Sequence, residues 1–311
     1  MALRQFFLEK AKKRTWIVSH RKDFINFDVS KRSETAYIAV PCDAGNPILS
    51  VMNPLFSIIT VTYNAAATLP ATLRSVREQT CGLYEHIIMD GASSDATLEI
   101  ARDGADGRCR IYSSPDRGLY DAMNKAMAEA RGEYLIFLNS GDRFHSPGTL
   151  QLIADAVLEQ GNDFPGVVYG QTDLVDADGH RVGARHLTAP ESLSLQSFAD
   201  GMVVCHQAFI ALRKVTSYYD LRYRFSADYE WCIRCLQRSR HNLYLPEVLI
   251  DYLSEGLTTR NRYKSLRERF VIMSRYYGFW STLGRHVRFI PRFLRWRRKE
   301  RSRAKSNCQD N

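Results

Sequence analysis

The sequence predicts an α/β protein built on a parallel sheet with helices on both faces, continued by a mixed α+β half. Strand-like and helix-like segments alternate four times between residues 56 and 139. The first strand segment, Phe56–Thr62, is β-branched and mostly apolar, as suits a strand buried on both faces. Each of the four strand segments ends in a polar loop carrying a carboxylate or an amide, and in open sheets of this kind ligands sit at the carboxyl ends of the strands.

In chain order, residues 1–50 read as an appendage: a short helix near 3–13, strands near 24–29 and 36–40, then a linker rich in turn formers. The core starts at Phe56. Ala66–Gln79 has helical spacing, with Leu69, Leu73 and Val76 on one side. Tyr84–Asp90 is the second strand. Asp95 suits the start of a helix that runs to about 103. Arg110–Tyr112 is a short third strand. Gly118–Ala130 is a helix stopped by Gly132, and Glu133–Asn139 is the fourth strand. Beyond 140 the alternation stops. We expect a helix over Leu150–Glu159, a strand at Val167–Tyr169, and a hairpin turning at Asp178-Gly179 between Thr172–Val175 and Arg181–Arg185. Gly201–Phe209 reads as a strand, Asp228–Gln237 as a helix, Tyr244–Tyr252 as extended and Leu266–Tyr277 as a helix. The expected organisation is an appendage over 1–53, the principal domain over 54–260, and a helical, basic segment over 261–311.

The 311 residues are 45% hydrophobic and 25% charged, which excludes a collagenous or wholly disordered chain. The 43 Lys and Arg exceed the 34 Asp and Glu, for a net charge of +9. Arg285–Lys305 alone carries ten basic residues and one acid, so the other residues balance and nucleic-acid binding by the body is not expected. The first residues lack the apolar stretch of a signal peptide, and no apolar run is long enough for a membrane span. Those readings predict a cytoplasmic chain with seven reduced cysteines. Cys232 and Cys235, a lone CxxC in a helical pattern, read as packed thiols rather than zinc ligands.

Four polar clusters follow the four strands: Tyr63-Asn64, Asp90-Gly-Ala-Ser-Ser-Asp95, Asp116-Arg117-Gly118 and Asn139-Ser-Gly-Asp142. Neither GxxxxGK[ST] nor a strand–GxGxxG–helix is present, so a bound nucleotide would need a divalent cation to screen its phosphates.

Ser57–Asn64, Asp90-Gly-Ala-Ser-Ser-Asp-Ala-Thr97, Asp116-Arg-Gly-Leu-Tyr-Asp-Ala-Met-Asn124 and Phe137-Leu-Asn-Ser-Gly-Asp142 resemble, in order and spacing, the signatures of glycosyltransferase family 2 over about residues 55–255. The resemblance implies a GT-A fold and an inverting enzyme of the kind that builds bacterial surface polysaccharide. It implies Thr62, Tyr63, Asn64, Asp90, Asp116, Arg117 and Asn139 around a nucleoside-diphosphate sugar, UDP-linked by expectation. Asp95 either caps its helix or touches ligand, and Arg117 either neutralises phosphate or stands free in solvent. Asp142 falls in the metal-binding acidic motif, which here has one acid where two or three aspartates are common. One carboxylate plus a diphosphate can still hold Mn²⁺ or Mg²⁺, which keep several waters; the rival is phosphate held by arginines alone. Phe225-Ser-Ala-Asp-Tyr-Glu-Trp matches the segment of the catalytic base and implies that role for Asp228, which also suits a helix cap. His206 and Glu230 would lie near the acceptor, His206 being equally suited to a structural role. Gly256-Leu-Thr-Thr259 resembles a loop that closes over the phosphates, with Arg260 or Arg262 in reach.

In the basic tail, Phe289, Ile290, Phe293, Leu294 and Trp296 alternate with arginines, a pattern suited to an anionic membrane surface. The expectation is a cytoplasmic glycosyltransferase, peripheral on the inner face of the cell membrane, that glycosylates a glycan or lipid-linked glycan. The alternatives are a non-catalytic nucleotide-sugar-binding protein with a basic tail, and a sugar-nucleotide nucleotidyltransferase. The latter calls for a glycine-rich loop after the first strand, where Tyr63-Asn-Ala-Ala-Ala67 has none.

Overall fold

The computed structural model describes residues 15–20, 23–28, 54–254 and 262–287. The chain divides into two compact units, residues 1–47 and 48–311. In the first, β1 (Thr15–His20) and β2 (Asp23–Asp28) form an antiparallel hairpin, with Thr15 opposite Asp28. The strand expected at 24–29 is β2, and its partner β1 was not anticipated. The helix expected near 3–13 and the strand near 36–40 lie outside the described residues, as do the 256–260 loop and the tail beyond 287.

The second unit contains β3 (Phe56–Thr62), β4 (Tyr84–Asp90), β5 (Cys109–Ser113) and β6 (Tyr134–Phe137). They form one parallel block in the order β5-β4-β3-β6. Beyond β6 the sheet becomes mixed. β10 (Phe209–Leu212) runs antiparallel between β6 and β8 (Val167–Val175), and β11 (Asn242–Leu253) runs parallel to β8. The short β7 (Arg143–Phe144) closes the edge on β11, and β9 (Arg181–Ala184) hairpins onto β8 through the expected Asp178-Gly179 turn.

The sheet is covered on both faces because its strands alternate at period two between two apolar clusters. Ile87 and Met89 join one core with Met123 and Ala126 of α3 (Leu119–Glu129) and Trp231 of α5 (Ala227–Arg238). Ile88, pointing the other way, packs with Leu69 and Leu73 of α1 (Leu69–Arg77) and Ala101 of α2 (Thr97–Gly104). Helices α4 (Thr149–Leu158) and α6 (Arg262–Tyr277) complete the labelled elements. Cys232 and Cys235 are buried, unbridged and part of the α5 packing face, as expected of packed thiols.

Gly201–Phe209 departs from its expected strand. It contains Gly201 at φ 114° and a 3-10 turn, His206–Ala208, and pairing begins only at Phe209. Met202 and Val204 are buried as loop residues, and an apolar run looks the same in sequence whether a ladder or a loop buries it. In β11, Pro246 sits where the register to β8 shifts between Tyr244 and Val248, which is where a residue without an N–H is tolerated.

At the amino-terminal edge of the parallel block, Glu85 is buried and takes four donors. These are Ser57 Oγ at 2.7 Å, Arg110 Nη2 at 2.5 Å, and the N–H groups of Arg131 at 2.6 Å and Gly132 at 3.3 Å. Burial would raise this carboxyl, but those hydrogen bonds and the Arg110 charge outweigh it and hold it below the usual range. The knot joins β3, β4, β5 and the turn into β6. A Cβ at Gly132 would meet Ser57 N at 2.5 Å and the Phe56 carbonyl carbon at 2.6 Å. Gly132→Ala therefore should lower unfolding free energy by about 1–3 kcal/mol in urea titration, by overpacking against backbone.

Candidate active site

Because β3 to β6 are parallel, Thr62, Asp90, Ser113 and the segment after Phe137 come out at one edge; Asp90 is in register with both Thr62 and Ser113. Asp90 is fully buried there. Its Oδ1 accepts from Thr62 Oγ1 at 3.0 Å and Ser93 Oγ at 2.5 Å. Its Oδ2 accepts from Ser93 N at 2.9 Å and Ser113 Oγ at 2.8 Å. Burial alone would raise its carboxyl, yet the donors, Ser93 foremost, keep it below the ordinary range, so it is ionised at neutral pH.

The two adjoining loops are stitched together. Asn64, in the left-handed region at φ 48°, accepts from Ser94 N at 2.9 Å, and its own N–H donates to Ser93 Oγ at 2.9 Å. Asp95 takes the Thr97 N–H at the start of α2 and, across the gap, the Ala66 N–H. Tyr63 stands between these fixed points with its ring 68% exposed. Asp116 reaches the same mouth: a Cβ at Gly91 would meet its Oδ2 at 2.4 Å and the Tyr63 ring at 3.4 Å, so a side chain at 91 would push the Asp116 carboxylate aside. Arg117, at the start of α3, is exposed and pairs with Asp121 at 3.0 Å.

The fourth loop is anchored from three sides. Thr68 Oγ1 meets Ser140 Oγ at 2.8 Å, and Thr72 Oγ1 takes the Gly141 N–H at 2.8 Å. Asp142 is buried, with Oδ1 accepting from Leu253 N at 3.0 Å and Oδ2 from Gln207 Nε2 at 2.8 Å. Burial pushes its carboxyl up to about 7, against the pull of those two donors. Asn139 Oδ1 is buried and has no hydrogen-bond partner among the described residues. An orphaned amide oxygen in the same turn as a buried carboxylate, the Asp142 N–H donating to the Asn139 carbonyl at 2.9 Å, fits a hard divalent cation that takes its remaining ligands from water and a diphosphate. The exposed trio of Asp176, Asp178 and His180 belongs to the β8–β9 hairpin, a different loop.

Facing this edge is the start of α5. Asp228 Oδ1 accepts from Tyr120 Oη at 3.0 Å and from Tyr229 N at 2.8 Å, and among the described residues Oδ2 has no hydrogen-bond partner. Tyr120 belongs to α3, so the helix after the Asp116 loop steers Asp228. Burial pushes the Tyr252 hydroxyl up, and the next causes include the charges of both Asp142 and Asp228, so this one β11 residue lies within electrostatic reach of both carboxylates.

His206 and Glu230 lie inside the same half. His206 is buried, bonded through Nε2 to Tyr219 Oη at 2.8 Å and stacked on Phe137 at 5.0 Å. Glu230 is buried, paired with Arg234 at 2.8 Å and bonded by Tyr276 Oη at 2.6 Å. Two residues along a helix turn a side chain about 200°, which sets Glu230 away from Asp228. Neither reaches open space as placed. The residues the sequence reading passed over are Tyr120, Ser93, Ser113, Gln207 and Tyr252. The first three sit inside or beside the quoted motifs, and Gln207 follows His206 in a His-Gln pair of the kind related enzymes carry near acceptor or metal; Tyr252 had no sequence signal beyond proximity.

A parallel sheet with nucleotide-type loops at one edge, an amide–carboxylate loop beside them and a lone carboxylate opposite defines a GT-A type sugar transferase. The model of "Glycosyl transferase family 2" matches residues 57–217, and the chain belongs to that family: it is a glycosyltransferase. It is 33% identical over 224 residues to a "PGL/p-HBAD biosynthesis glycosyltransferase" of Mycobacterium tuberculosis, covering 70% of this chain and 81% of that one. Among solved structures, Staphylococcus aureus TarS 1–349 in complex with UDP-GlcNAc aligns with a TM-score of 0.58 at 18% identity, over 75% of this chain and 73% of that one. The mannosyltransferase PcManGT of Pyrobaculum calidifontis, in complex with GDP-Man and Mn²⁺, aligns with a TM-score of 0.52 at 16% identity, over 78% and 76%. Both bear out the GT-A fold.

His86, buried against Thr60 Oγ1 at 2.9 Å, and His206 are each pushed by burial down to about 4. In the unfolded chain each titrates near 6.5, so between about 6.5 and 4 the unfolded state binds more protons. The contribution of these two histidines is thus full above pH 6.5 and falls as pH drops toward 4, by up to about 3 kcal/mol each, while Asp142, raised to about 7, contributes in the opposite sense over the same range. Urea titrations of wild type and His86→Gln at pH 7 and pH 5 check this: wild type should lose more stability between the two pH values than the variant, and an equal change in both would contradict it.

Proposed function

We propose that the protein is an inverting glycosyltransferase that moves a sugar from a nucleoside-diphosphate donor, UDP-linked, to a hydroxyl of a glycan or lipid-linked glycan in polysaccharide or glycolipid biosynthesis. The observation that carries the reading is Asp228, a carboxylate with one oxygen oriented by Tyr120 and the other without a partner among the described residues, facing the nucleotide edge.

In this reading Tyr63 offers its exposed ring to the base, and Asp116 supplies acceptor oxygens at the same mouth. Thr62, Asn64 and Asp90 shape the pocket for base and ribose. All four acceptor positions of Asp90 are in use, so it touches the nucleoside only where a serine or threonine hydroxyl yields its place. Arg117 neutralises phosphate from the rim. Mn²⁺ or Mg²⁺ would be held by Asn139 Oδ1 and the Asp142 carboxylate; when bound, the cation neutralises the leaving diphosphate. Asp228 Oδ2 accepts the proton of the acceptor hydroxyl as that oxygen attacks C1, the C1–O bond to the diphosphate breaks, and the anomeric configuration inverts. His206 and Glu230 support the acceptor lobe from behind. The 54–260 segment is the catalytic domain, preceded by the 1–53 appendage and followed by the 261–311 basic segment.

The protein works in the cytoplasm, peripheral on the inner face of the membrane. Support comes from Phe279, Trp280, Leu283 and Val287, exposed on the helical stretch 279–287, next in sequence to the basic run. No helix among the described residues is long and apolar enough to cross a membrane.

Asp228→Asn should lower sugar transfer about 10²–10⁴-fold while UDP affinity measured by calorimetry stays unchanged. Wild-type transfer rates in that variant would refute the assignment. Asn139→Ala should weaken the Mn²⁺-dependent part of UDP binding and leave the metal-free part intact.

A further inference from the structure

A cavity of about 410 Å³ opens between the start of α3, the 221–225 segment and α6. Its size is in the range of small-molecule sites. Leu119, Tyr120, Leu221, Tyr223 and Phe225 give it a largely apolar wall. Tyr120 is the residue whose hydroxyl holds Asp228 Oδ1 at 3.0 Å, so the cavity and the carboxylate share a side chain.

The polar groups around it are mostly spent on one another. Arg117 pairs with Asp121, Arg222 with Asp220, and Ser265 Oγ meets Ser226 Oγ at 2.9 Å. Arg224 differs. Its backbone N–H donates to Glu268 Oε1 at 2.9 Å, but the residue is exposed, its guanidinium has no partner among the described residues, and it is one of the residues that line the cavity. A pocket that reads a sugar ring offers several free amides or carboxylates for its hydroxyls. This one offers mainly apolar surface, with Leu119 39% and Leu221 40% exposed at its wall, and a cationic margin of Arg224, Lys264 over the Phe225 ring at 5.7 Å and the exposed Arg117 of the Asp121 pair.

We propose that this cavity takes the non-sugar part of the acceptor: an alkyl or aryl group laid along Leu119, Leu221 and Phe225, next to a phosphate held by Arg224. The attacked hydroxyl then lies past Tyr120, toward Asp228. The proposal rests on the reading of Asp228 as the base and adds the acceptor chemistry to it. Apolar contact supplies affinity in proportion to buried area, and the guanidinium supplies the charge-assisted hydrogen bonds that suit phosphate.

The test is calorimetric titration of the full chain with octyl phosphate and, separately, with inorganic phosphate, followed by UDP in the same samples. Wild type should bind octyl phosphate and not inorganic phosphate, and Leu221→Asp and Arg224→Ala should each weaken octyl phosphate about tenfold. Both positions are exposed, and unchanged thermal unfolding would confirm that the variants fold. Octyl phosphate binding no tighter than inorganic phosphate, or indifferent to both substitutions, overturns the proposal. Loss of UDP binding in every sample, wild type included, would instead overturn the donor reading while leaving the octyl phosphate result to be judged by itself.

Discussion

A carboxylate buried at the end of a strand must be given donors, and the four that Asp90 receives come from three different places in the chain. Thr62 closes the strand before it in the sheet, Ser113 closes the strand after it, and Ser93 turns back from its own loop. Satisfying one ion therefore draws together the ends of three strands. Asn64 and Asp95 continue the stitching at the next residues out. The mouth between Tyr63, Gly91 and Asp116 lies at the edge that these anchors bring together.

The second half meets that edge through contacts of the same kind. The Leu253 N–H and the Gln207 amide reach Asp142, while Tyr120 reaches across to Asp228. Each is a single hydrogen bond to a carboxylate, and such bonds are stronger than neutral ones and sensitive to geometry. Behind them, His206, Tyr219, Phe137 and Trp231 pack as one aromatic block, with Tyr219 and Trp231 stacked at 5.2 Å. The half of the sheet beyond β6 is thereby tightly packed behind His206 and the start of α5.

The parallel block was legible from sequence because β3, β4 and β6 are buried along their whole length, and β3, β4 and β5 are each followed by a helix of 3.6 periodicity. Local pattern and global position agree there, down to Thr62 and Asp90 as last residues. Gly201–Phe209 was not legible, since its apolar residues are buried by a loop and a 3-10 turn rather than by a ladder. The two-residue β7 is too short to carry any pattern. In the site, the motif residues announced themselves by type and spacing. Their supports did not: Gln207, Tyr252 and Leu253 act through positions set by sheet order, and Leu253 through its backbone alone. His206 and Glu230 show the converse. Their residue types suit chemistry, but only coordinates reveal that Tyr219, Arg234 and Tyr276 already occupy them.

The Glu85 knot lies at the opposite end of the same strands from every residue discussed as touching substrate. Cohesion of the parallel block and selection of ligand are thus assigned to separate ends of four short strands. A lineage can rewrite its nucleotide loops, trading one sugar donor for another, without renegotiating what keeps the strands together. That spatial independence gives this architecture latitude to diversify.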